Sequence, residues 1–337
     1  MVNVLLTSVG RRTYMVDYFK SALNGRGKVY ASNSIMTYSM THADEVLLTP
    51  VIYDENYISV LLEFCLEKNV TAIVSLFDID LPVLARHRCV FENKGIRLIV
   101  SSSEVTDICN DKWRTFLFLK DIGIPHPLSY VTKEDAQKAL NEGELSFPVV
   151  LKPRWGMGSI GIYFADNFLE LEVLYSKLRN TIFKTYLRYE SETDKDRCII
   201  IQEKIDGQEY GLDVLNDLKG EYVTVIAKKK VAMRAGETDI AEIVDSKPYE
   251  DLARKISTRL RHIANLDVDV FFKPNGDIYV LEMNCRFGGQ YPFSHLAGVD
   301  FPRQIVEWIQ GNDTNMKILT PMIGVRSCKD LVPVKID

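Results

Sequence analysis

Apolar runs and amphipathic stretches alternate through the first hundred residues of the chain. Strand-length runs such as VNVLLTSV and TAIVSLF are separated by stretches with helical spacing, at Thr13–Leu23, Tyr57–Lys68 and near Leu81–Lys94. This β/α alternation is typical of a parallel sheet with helices on both faces. The sequence therefore predicts an α/β domain, with its first strand ending in a Gly-Arg-Arg turn at the edge where such sheets usually bind ligands.

A different pattern begins after Ser101. The stretch EVTDICNDKWRTFLFLKDIGI predicts one amphipathic helix that ends at Gly123. Beyond it, two apolar strands flank the glycine-rich segment RWGMGSIG, a long helix covers residues 168–190, and later apolar stretches predict antiparallel strands. The predicted parts are a first domain at 1–100, a part at 101–205 with a small glycine-loop lobe at about 124–202, a lobe at 206–312 and a C-terminal tail at 313–337.

The segment VDVFFKPNGDIYVLEMNCRFGG predicts a strand hairpin that places acidic groups together. If Asn275 and Gly276 are the central turn residues, Asp269 lies directly opposite Glu282, and Asn284 lies on the same face. Like charges about 5 Å apart across a strand pair destabilise a sheet. Two carboxylates and an amide oxygen suit Mg²⁺, which would remove this repulsion.

The alternative interpretation of this hairpin is an exposed turn whose charges face water. Apolar residues occupy the opposite face, and Phe271 and Val280 continue the acidic face. A strand that is apolar on both faces is usually buried, and buried carboxylates need partners. The pattern therefore favours a metal site, with Arg286 as a fixed positive charge one step further along.

A phosphate-binding loop is predicted after the strand that ends at Lys152. The residues that follow are small, which lets backbone N–H groups approach phosphate oxygens while the lysine supplies a charge: Gly156, Gly158, Ser159 and Gly161. The segment lacks the Walker pattern, and an ordinary turn between strands is the alternative.

An apolar strand further along the chain enters Gln202, Glu203, Lys204 and Ile205. Its edge offers backbone groups to an adenine ring, Glu203 can accept from the side of the exocyclic amine, and Glu209 can accept from ribose hydroxyls. The alternative is a surface strand with alternating charges.

Basic residues elsewhere are further phosphate candidates. Lys112 lies within the amphipathic helix, where a solvated helix charge is the default interpretation. Lys228, Lys230 and Arg234 alternate along one strand and therefore share a face. That face is either solvated or a clamp for a transferring phosphate.

Five residues near the predicted crevice are candidate substrate contacts or structural groups. Arg11 and Arg12 either grip a carboxylate or phosphate or are solvated turn charges. Asp78 and Asp80 follow the fourth strand and either position a substrate or cap the next helix. Among the histidines, only His295, just behind the hairpin, is retained as a substrate contact.

Composition restricts the class of protein. The 337 residues suffice for two or three lobes with their own cores. The net charge of −5 gives no indication of a basic surface that would bind nucleic acid or an anionic membrane. No signal peptide or membrane span is visible. Six scattered cysteines without a CxxC pair indicate reduced thiols, no zinc site and a cytoplasmic location.

These blocks, in this order, resemble the ATP-grasp superfamily, and specifically the synthetase halves of the carbamoyl-phosphate synthase large subunit. The resemblance covers nearly the whole chain and implies a Rossmann-like pre-ATP-grasp domain followed by a two-lobed ATP-grasp fold (α+β). It also implies roles for the residues named above: Lys112 and Lys152 on phosphates, Gly156–Gly161 as the flexible loop, Glu203 and Ile205 at adenine, Glu209 at ribose, Glu282 and Asn284 as metal ligands, and Arg286 as catalytic arginine.

The chain departs from the family pattern in two places. Some relatives hold glutamine at the position of Asp269, and Cys285 replaces a proline between Asn284 and Arg286. The first departure weakens the metal role of Asp269, whereas the second removes no ligand.

The resemblance implies an ATP-dependent ligase that uses Mg²⁺ or Mn²⁺. It would form an acyl phosphate from a small carboxylate and transfer the acyl group to an amine or thiol, with Arg286, Lys152 and Arg234 as catalytic groups. Such synthetases are often homodimers. The alternatives are carbamoyl-phosphate-type phosphorylation of bicarbonate or carbamate, and a regulatory ATP-binding module without catalysis.

Overall fold

Three β-sheets organise this protein, whose computed structural model describes residues 1–158 and 160–335. The first sheet is parallel, with five strands in the order β3-β2-β1-β4-β5. Its strands are β1 (Val4–Thr7), β2 (Val29–Asn33), β3 (Glu45–Leu48), β4 (Ala72–Ser75) and β5 (Arg97–Ile99), with helices α1 (Thr13–Leu23), α2 (Tyr57–Glu67), α3 (Asp80–Arg86) and α4 (Arg88–Glu92). Every residue of β1 and β4 is buried, as expected for central strands covered by helices on both faces.

Two predicted helices are each divided. The helix predicted near Leu81–Lys94 is α3 followed by α4, and the one predicted to end at Gly123 is α5 (Ser103–Asn110) followed by α6 (Lys112–Asp121). Between α5 and α6, Asp111 is extended, and its side chain accepts the Trp113 N–H. An aspartate N-cap thus starts a new helix. Lys112 therefore lies at the beginning of a helix rather than within one.

The small lobe is built on a four-stranded antiparallel sheet in the order β6-β9-β7-β8. Its strands are β6 (Ser129–Tyr130), β7 (Val149–Pro153), β8 (Tyr163–Ala165) and β9 (Ile199–Glu203), with helices α7 (Lys133–Glu142), α8 (Phe168–Phe183) and α9 (Arg188–Ser191). The helix predicted over 168–190 therefore ends at Phe183. Leu151 and Ile201 from the sheet pack against Leu171 and Leu178 of α8.

The large lobe contains a six-stranded sheet in the order β14-β13-β10-β11-β12-β15. Its strands are β10 (Gln208–Asn216), β11 (Tyr222–Arg234), β12 (Glu237–Val244), β13 (Asn265–Phe272), β14 (Ile278–Asn284) and β15 (Arg326–Cys328), with helices α10 (Glu250–Leu260), α11 (Tyr291–Leu296) and α12 (Phe301–Ile309). Because β15 pairs with β12, the predicted C-terminal tail supplies an edge strand to this sheet.

The first domain and the large lobe share one hydrophobic core. Leu5 and Leu84 of the first domain belong to the same buried cluster as Leu119, Val268 and Met283. This packing brings the carboxyl ends of β1 and β4 up to the β13–β14 hairpin. Within the described ranges, no helix is long and apolar enough to cross a membrane.

Candidate active site

The β13–β14 hairpin carries the acidic residues in the predicted register. Asp269 pairs with Glu282, as predicted. A bulge shifts the register beyond this pair, so that Val270 pairs with Val280 and the connecting loop is longer than two residues. Val280 consequently packs in the core rather than on the acidic face, which corrects the predicted position of that side chain.

A cavity of about 310 Å³ lies between the first domain, the small lobe and this hairpin. It brings together residues that are far apart in the sequence and that were predicted separately as phosphate, metal and substrate contacts: Arg12, Asp78, Lys112, Lys152, Gly156, Gly158, Asp269, Glu282, Asn284 and Arg286.

The Glu282 carboxylate is less engaged by the protein than that of Asp269. Its nearest basic atom is Lys112 Nζ, 3.8 Å from Oε1, and no residue that the structure describes donates a hydrogen bond to it. Burial would raise the pKa of Glu282, but the positive charges of Lys112, Lys152 and Arg286 lower it below its usual value. Glu282 is therefore ionised and has free lone pairs in the cavity.

Asp269 is more strongly engaged by the protein than Glu282. Its Oδ1 lies 2.8 Å from Lys230 Nζ and accepts a hydrogen bond from Gln290 Nε2 at 3.0 Å. Burial raises the pKa of Asp269 to about 6, against the opposing charge of Lys230. A cation would have to share this carboxylate with a lysine.

The donor set fits a hard divalent cation. Across residues 1–158 and 160–335, no three His, Cys, Asp or Glu side chains converge on one point. The predicted set instead consists of two carboxylates, Asp269 and Glu282, and the amide of Asn284, all lining one cavity. These are oxygen ligands of the kind that Mg²⁺ takes together with water and phosphate oxygens.

Arg286 is held between two carboxylates at the junction of the domains. Its Nε and Nη2 donate to Asp78 Oδ2 at 3.2 and 3.1 Å, and its Nη1 donates to Asp267 Oδ2 at 2.8 Å. Burial would lower the pKa of Arg286, but these two carboxylates raise it. The guanidinium is thus permanently charged and fixed in orientation.

Neither aspartate after β4 caps a helix. Asp78 holds Arg286, and α3 has no side-chain cap. Asp80 is fully buried beneath the crevice and accepts hydrogen bonds from Thr7, Ser75 and Tyr57 at 2.5, 2.8 and 2.7 Å. Asp80 therefore ties β1, β4 and α2 together.

The glycine-rich loop is anchored by Lys112, whose Nζ donates to the Gly156 carbonyl at 2.5 Å. Gly158 and Gly161 have φ values of 63° and 74°, which favour glycine. At Gly161 a Cβ would also lie 2.7 Å from Leu178 Cδ1. The predicted contact Ser159 lies outside the described residues.

Lys152 lies at the base of this loop, 5% exposed. Burial lowers its pKa to about 8, with Lys112 adding to the effect and Glu282 opposing it. We expect ADP affinity to fall as the pH rises from 7 to 9.5, because deprotonated Lys152 no longer attracts phosphate. Bound phosphate favours the protonated lysine, so the midpoint should lie at or above about 8. Calorimetric titration with ADP measures this profile.

Lys152→Arg provides the comparison for this pH profile. A guanidinium stays protonated over the whole range, so the fall in affinity should disappear in the variant. Identical profiles in both proteins would contradict a phosphate role for Lys152.

The predicted adenine and ribose contacts lie beyond the lining of the cavity. Gln202 donates to Ser129 Oγ at 2.7 Å, and Glu203 accepts the Leu128 N–H at 3.2 Å. In the described chain, the backbone groups of Lys204 and Ile205 bond to no other residue, which leaves them available to a base edge.

Glu209, the predicted ribose contact, is paired within the protein. It lies 2.5 Å from Lys230 Nζ, and the same ammonium also contacts Asp269. Lys230 therefore connects the predicted ribose contact to the metal hairpin.

Two predicted phosphate contacts on β11 lie outside the cavity. Lys228 is completely buried, with Nζ 2.5 Å from Asp213 Oδ2 and 3.4 Å from Ser294 Oγ. Arg234 follows two register shifts in β11 and is exposed, paired with Asp239 at 2.6 Å. Because of these shifts, Arg234 does not continue the face of Lys228 and Lys230.

Two predicted substrate contacts, Arg11 and His295, also lie outside the lining of the cavity. Arg11 is exposed and does not line the cavity, unlike its neighbour Arg12. His295 stacks on Tyr18 with ring centroids 3.5 Å apart, which packs α11 against α1. His295 is thus a packing residue.

The cavity residues that were not identified from the sequence include Asp267, Gln290 and Lys329. Asp267 lies two residues before Asp269 on the same strand, so strand alternation could have identified it. Gln290 donates to Asp267 and Asp269, and Lys329 reaches the cavity from just after β15. No local pattern marks Gln290 or Lys329, because tertiary packing alone brings them to the hairpin.

Comparisons with known proteins match both parts of the chain. Residues 4–99 match the family described as PylC-like, N-terminal domain, and residues 145–292 match the ATP-grasp domain family. Carbamoyl-phosphate synthase of Methanobrevibacter smithii is 24% identical over 325 residues, covering 90% of this chain and 80% of the relative. The arginine-specific large chain of Bacillus subtilis is 26% identical over 256 residues, or 72% of this chain.

The chain spans 22% of the length of the Bacillus subtilis relative. Among solved structures, an L-amino acid ligase from Bacillus licheniformis has a TM-score of 0.75 at 18% identity, covering 99% of this chain and 82% of the ligase. The predicted fold, an α/β domain followed by a two-lobed ATP-grasp fold, is confirmed. Residues 145–292 thus match an ATP-grasp domain, and the chain as a whole resembles a synthetase half of the carbamoyl-phosphate synthase large subunit.

Proposed function

We propose that this protein is an ATP-dependent ligase that activates a small carboxylate as an acyl phosphate and transfers the acyl group to an amine or thiol. The observation that carries the proposal is the single cavity in which Lys112, Lys152, Glu282, Asn284 and Arg286 meet. Basic groups for phosphate, oxygen ligands for a cation and a fixed guanidinium are the parts that phosphoryl transfer requires.

The basic residues and the loop bind the nucleotide. Lys112 and Lys152 attract its phosphates, the backbone from Gly156 to Gly161 closes over them, and the free backbone groups at Ile205 receive the base. Glu282 and Asn284, with Asp269, would hold Mg²⁺, which neutralises charge on the phosphates. Arg286 stabilises the transferring phosphoryl group, and Asp78 and Asp267 keep it in place.

In this proposal, Arg12 and Lys329 bind the carboxylate group of the substrate at one end of the cavity. The charge of Arg286 is already matched by Asp78 and Asp267, whereas Arg12 has no ion pair with any residue that the structure describes. Lys329 Nζ lies 3.3 Å from the mostly exposed Glu237. Arg12 therefore remains for an anionic substrate, and Lys329 can exchange its solvent-accessible ion pair with Glu237 for the substrate carboxylate.

The second candidate is phosphorylation of bicarbonate or carbamate, favoured by the carbamoyl-phosphate synthase relatives. Two cations beyond those assigned to phosphate line the cavity, Arg12 and Lys329, and these, with the likeness to an L-amino acid ligase, support a larger acid. Free cysteines support a reducing, cytoplasmic location. Assembly as a homodimer is part of the proposal.

Release of ADP and phosphate from Mg-ATP tests the function. The assay combines a panel of carboxylates, bicarbonate included, with ammonia, amino acids or hydroxylamine as acceptors. Release that requires one acid and one acceptor, with hydroxamate formed from that acid, supports the ligase. Release with bicarbonate alone favours the second candidate. Mg-ATP binding without turnover on any pair overturns the proposal in favour of a regulatory module.

Lys329→Gln is expected to raise the KM for the acid at least tenfold while leaving ADP affinity unchanged, because one charge-assisted contact to the carboxylate is lost. Steady-state kinetics and ADP titration give the two values. Lys317→Gln, an exposed lysine on the same C-terminal segment, is the matched control. An equal loss in both variants would place Lys329 outside the substrate site.

A further inference from the structure

A second cavity of about 310 Å³ lies directly behind the first. Three pairs of consecutive residues form the wall between them, with one residue of each pair lining each cavity: Asp78 and Ile79, Lys112 and Asp111, Pro153 and Arg154. The far side of the second cavity is formed by Tyr53 of the first domain and by Tyr189 and Glu190 of α9. None of the roles proposed above uses this cavity.

The arginines around this second cavity are already paired. Arg154 donates to Asp111 at 2.7 and 2.8 Å and to Asp194 at 3.0 Å. Arg86 and Arg114 contact Asp107 at 3.1 and 3.6 Å. These ion pairs leave no unmatched positive charge on the lining.

Glu190 is the one acid on this lining without a basic partner among the described residues. Its carboxylate accepts a hydrogen bond from Asn110, a neutral amide. Burial raises the pKa of Glu190 to about 7; the Asn110 hydrogen bond and Lys112 lower it, and Asp78 and Asp111 raise it further. A carboxyl group in this setting gains most from a ligand that brings a positive charge.

Aromatic rings flank this carboxyl group. Tyr53 and Tyr189 stack with ring centroids 4.8 Å apart, across the junction of the first domain and the small lobe. Trp155 lies beside them, with the Arg154 guanidinium 4.3 Å from its ring centroid. Aromatic faces next to a carboxylate attract organic cations through cation–π contacts as well as through the ion pair.

We propose that the second cavity binds a small organic cation of the primary-amine class. The ammonium group pairs with Glu190, and the body of the ligand packs on Tyr53 and Tyr189. Because Lys112 lines the first cavity and contributes to the electrostatic environment of Glu190, an occupied second cavity shifts nucleotide affinity without competing for the nucleotide site. The site does not depend on the proposed ligase activity.

Titration of the full chain with benzylamine, with benzyl alcohol as the uncharged counterpart, tests the proposal. At pH 8 benzylamine is expected to bind at least tenfold more tightly than the alcohol, since the ion pair is the main contact. Affinity should be about tenfold lower at pH 6, where Glu190 with its pKa of about 7 is mostly protonated. Calorimetry in the presence of saturating Mg-ADP should still show one binding site.

Three variants identify the site. Glu190→Gln, which keeps the hydrogen bond to Asn110, should reduce benzylamine affinity to that of benzyl alcohol. Tyr189→Leu should weaken it several-fold, and Glu192→Gln, an exposed acid two residues away, should leave it unchanged. Thermal melting confirms that each variant is folded. Absence of benzylamine binding, equal binding to Glu190→Gln, or full displacement by Mg-ADP would each overturn the proposal.

Discussion

Replacement of Glu282 by glutamine is expected to reduce acid-dependent ADP release by at least a hundredfold. The substitution removes one of two carboxylates for the cation, and metal stabilisation of a transferring phosphoryl group contributes several kcal/mol to the transition state. Glu282 accepts no hydrogen bond from the described residues and faces the like charge of Asp269. The positive charges of Lys112, Lys152 and Arg286 nevertheless hold the pKa of Glu282 below its usual value, so loss of its charge should lower the free energy of unfolding slightly.

Three measurements test this expectation together. Coupled ADP release gives the rate, ADP titration with and without Mg²⁺ gives the metal-dependent part of binding, and urea unfolding gives stability. Glu144→Gln, an exposed acid of the small lobe, is the matched control. If Glu282→Gln kept a rate within threefold of the parent, the hairpin would not be the metal site. If it lost its rate together with its fold, the experiment would be repeated with Asn284→Ala.

The pairing of Asp269 with Glu282 could be predicted because a hairpin is a local structure. Turn residues and strand alternation determine the register within about twenty residues. The bulge was missed because the residues on the turn side of the Asp269–Glu282 pair, Val270, Val280 and Leu281, are apolar and suit either face. Its effect is limited to the turn side of the hairpin, where Val280 joins the core instead of the cavity.

The environment of Arg286 could not be predicted in the same way. Its partner Asp78 is 208 positions earlier in the chain, and the contact exists only because the first domain and the large lobe share a core. The apolar run of β4 shows that Asp78 follows the end of that strand, but no local pattern selects between a helix cap and a partner in another domain. The structure resolves this choice through packing.

The division between α5 and α6 did have a signal in the sequence. Asp111 precedes Lys112 and Trp113 as an N-cap residue would, but the apolar spacing on both sides favoured one continuous helix. The break matters for the site. It places Lys112 on the first turn of α6, where its ammonium reaches both Gly156 and Glu282.

Lys228 shows the limit of strand alternation as a guide to function. Alternation places Lys228 and Lys230 on one face, yet Lys230 lines the cavity and Lys228 lies behind it with no exposed surface. How deeply a residue on one face of a strand is buried depends on the elements that pack against it. Lys228 is covered by Ser294 of α11 and Asp213 of β10. We therefore expect Lys228 to stabilise the fold rather than bind phosphate.

Lys228→Met should lower the free energy of unfolding by about 3–5 kcal/mol, because it leaves the fully buried Asp213 carboxylate without its ammonium partner. Urea unfolding measures the loss, and Lys229→Met, a half-buried neighbour on the other face, is the control. Adding Asp213→Leu to Lys228→Met should recover much of the loss, since no isolated charge then remains. If Lys228→Met instead left the stability unchanged and weakened ADP binding, Lys228 would be a phosphate contact.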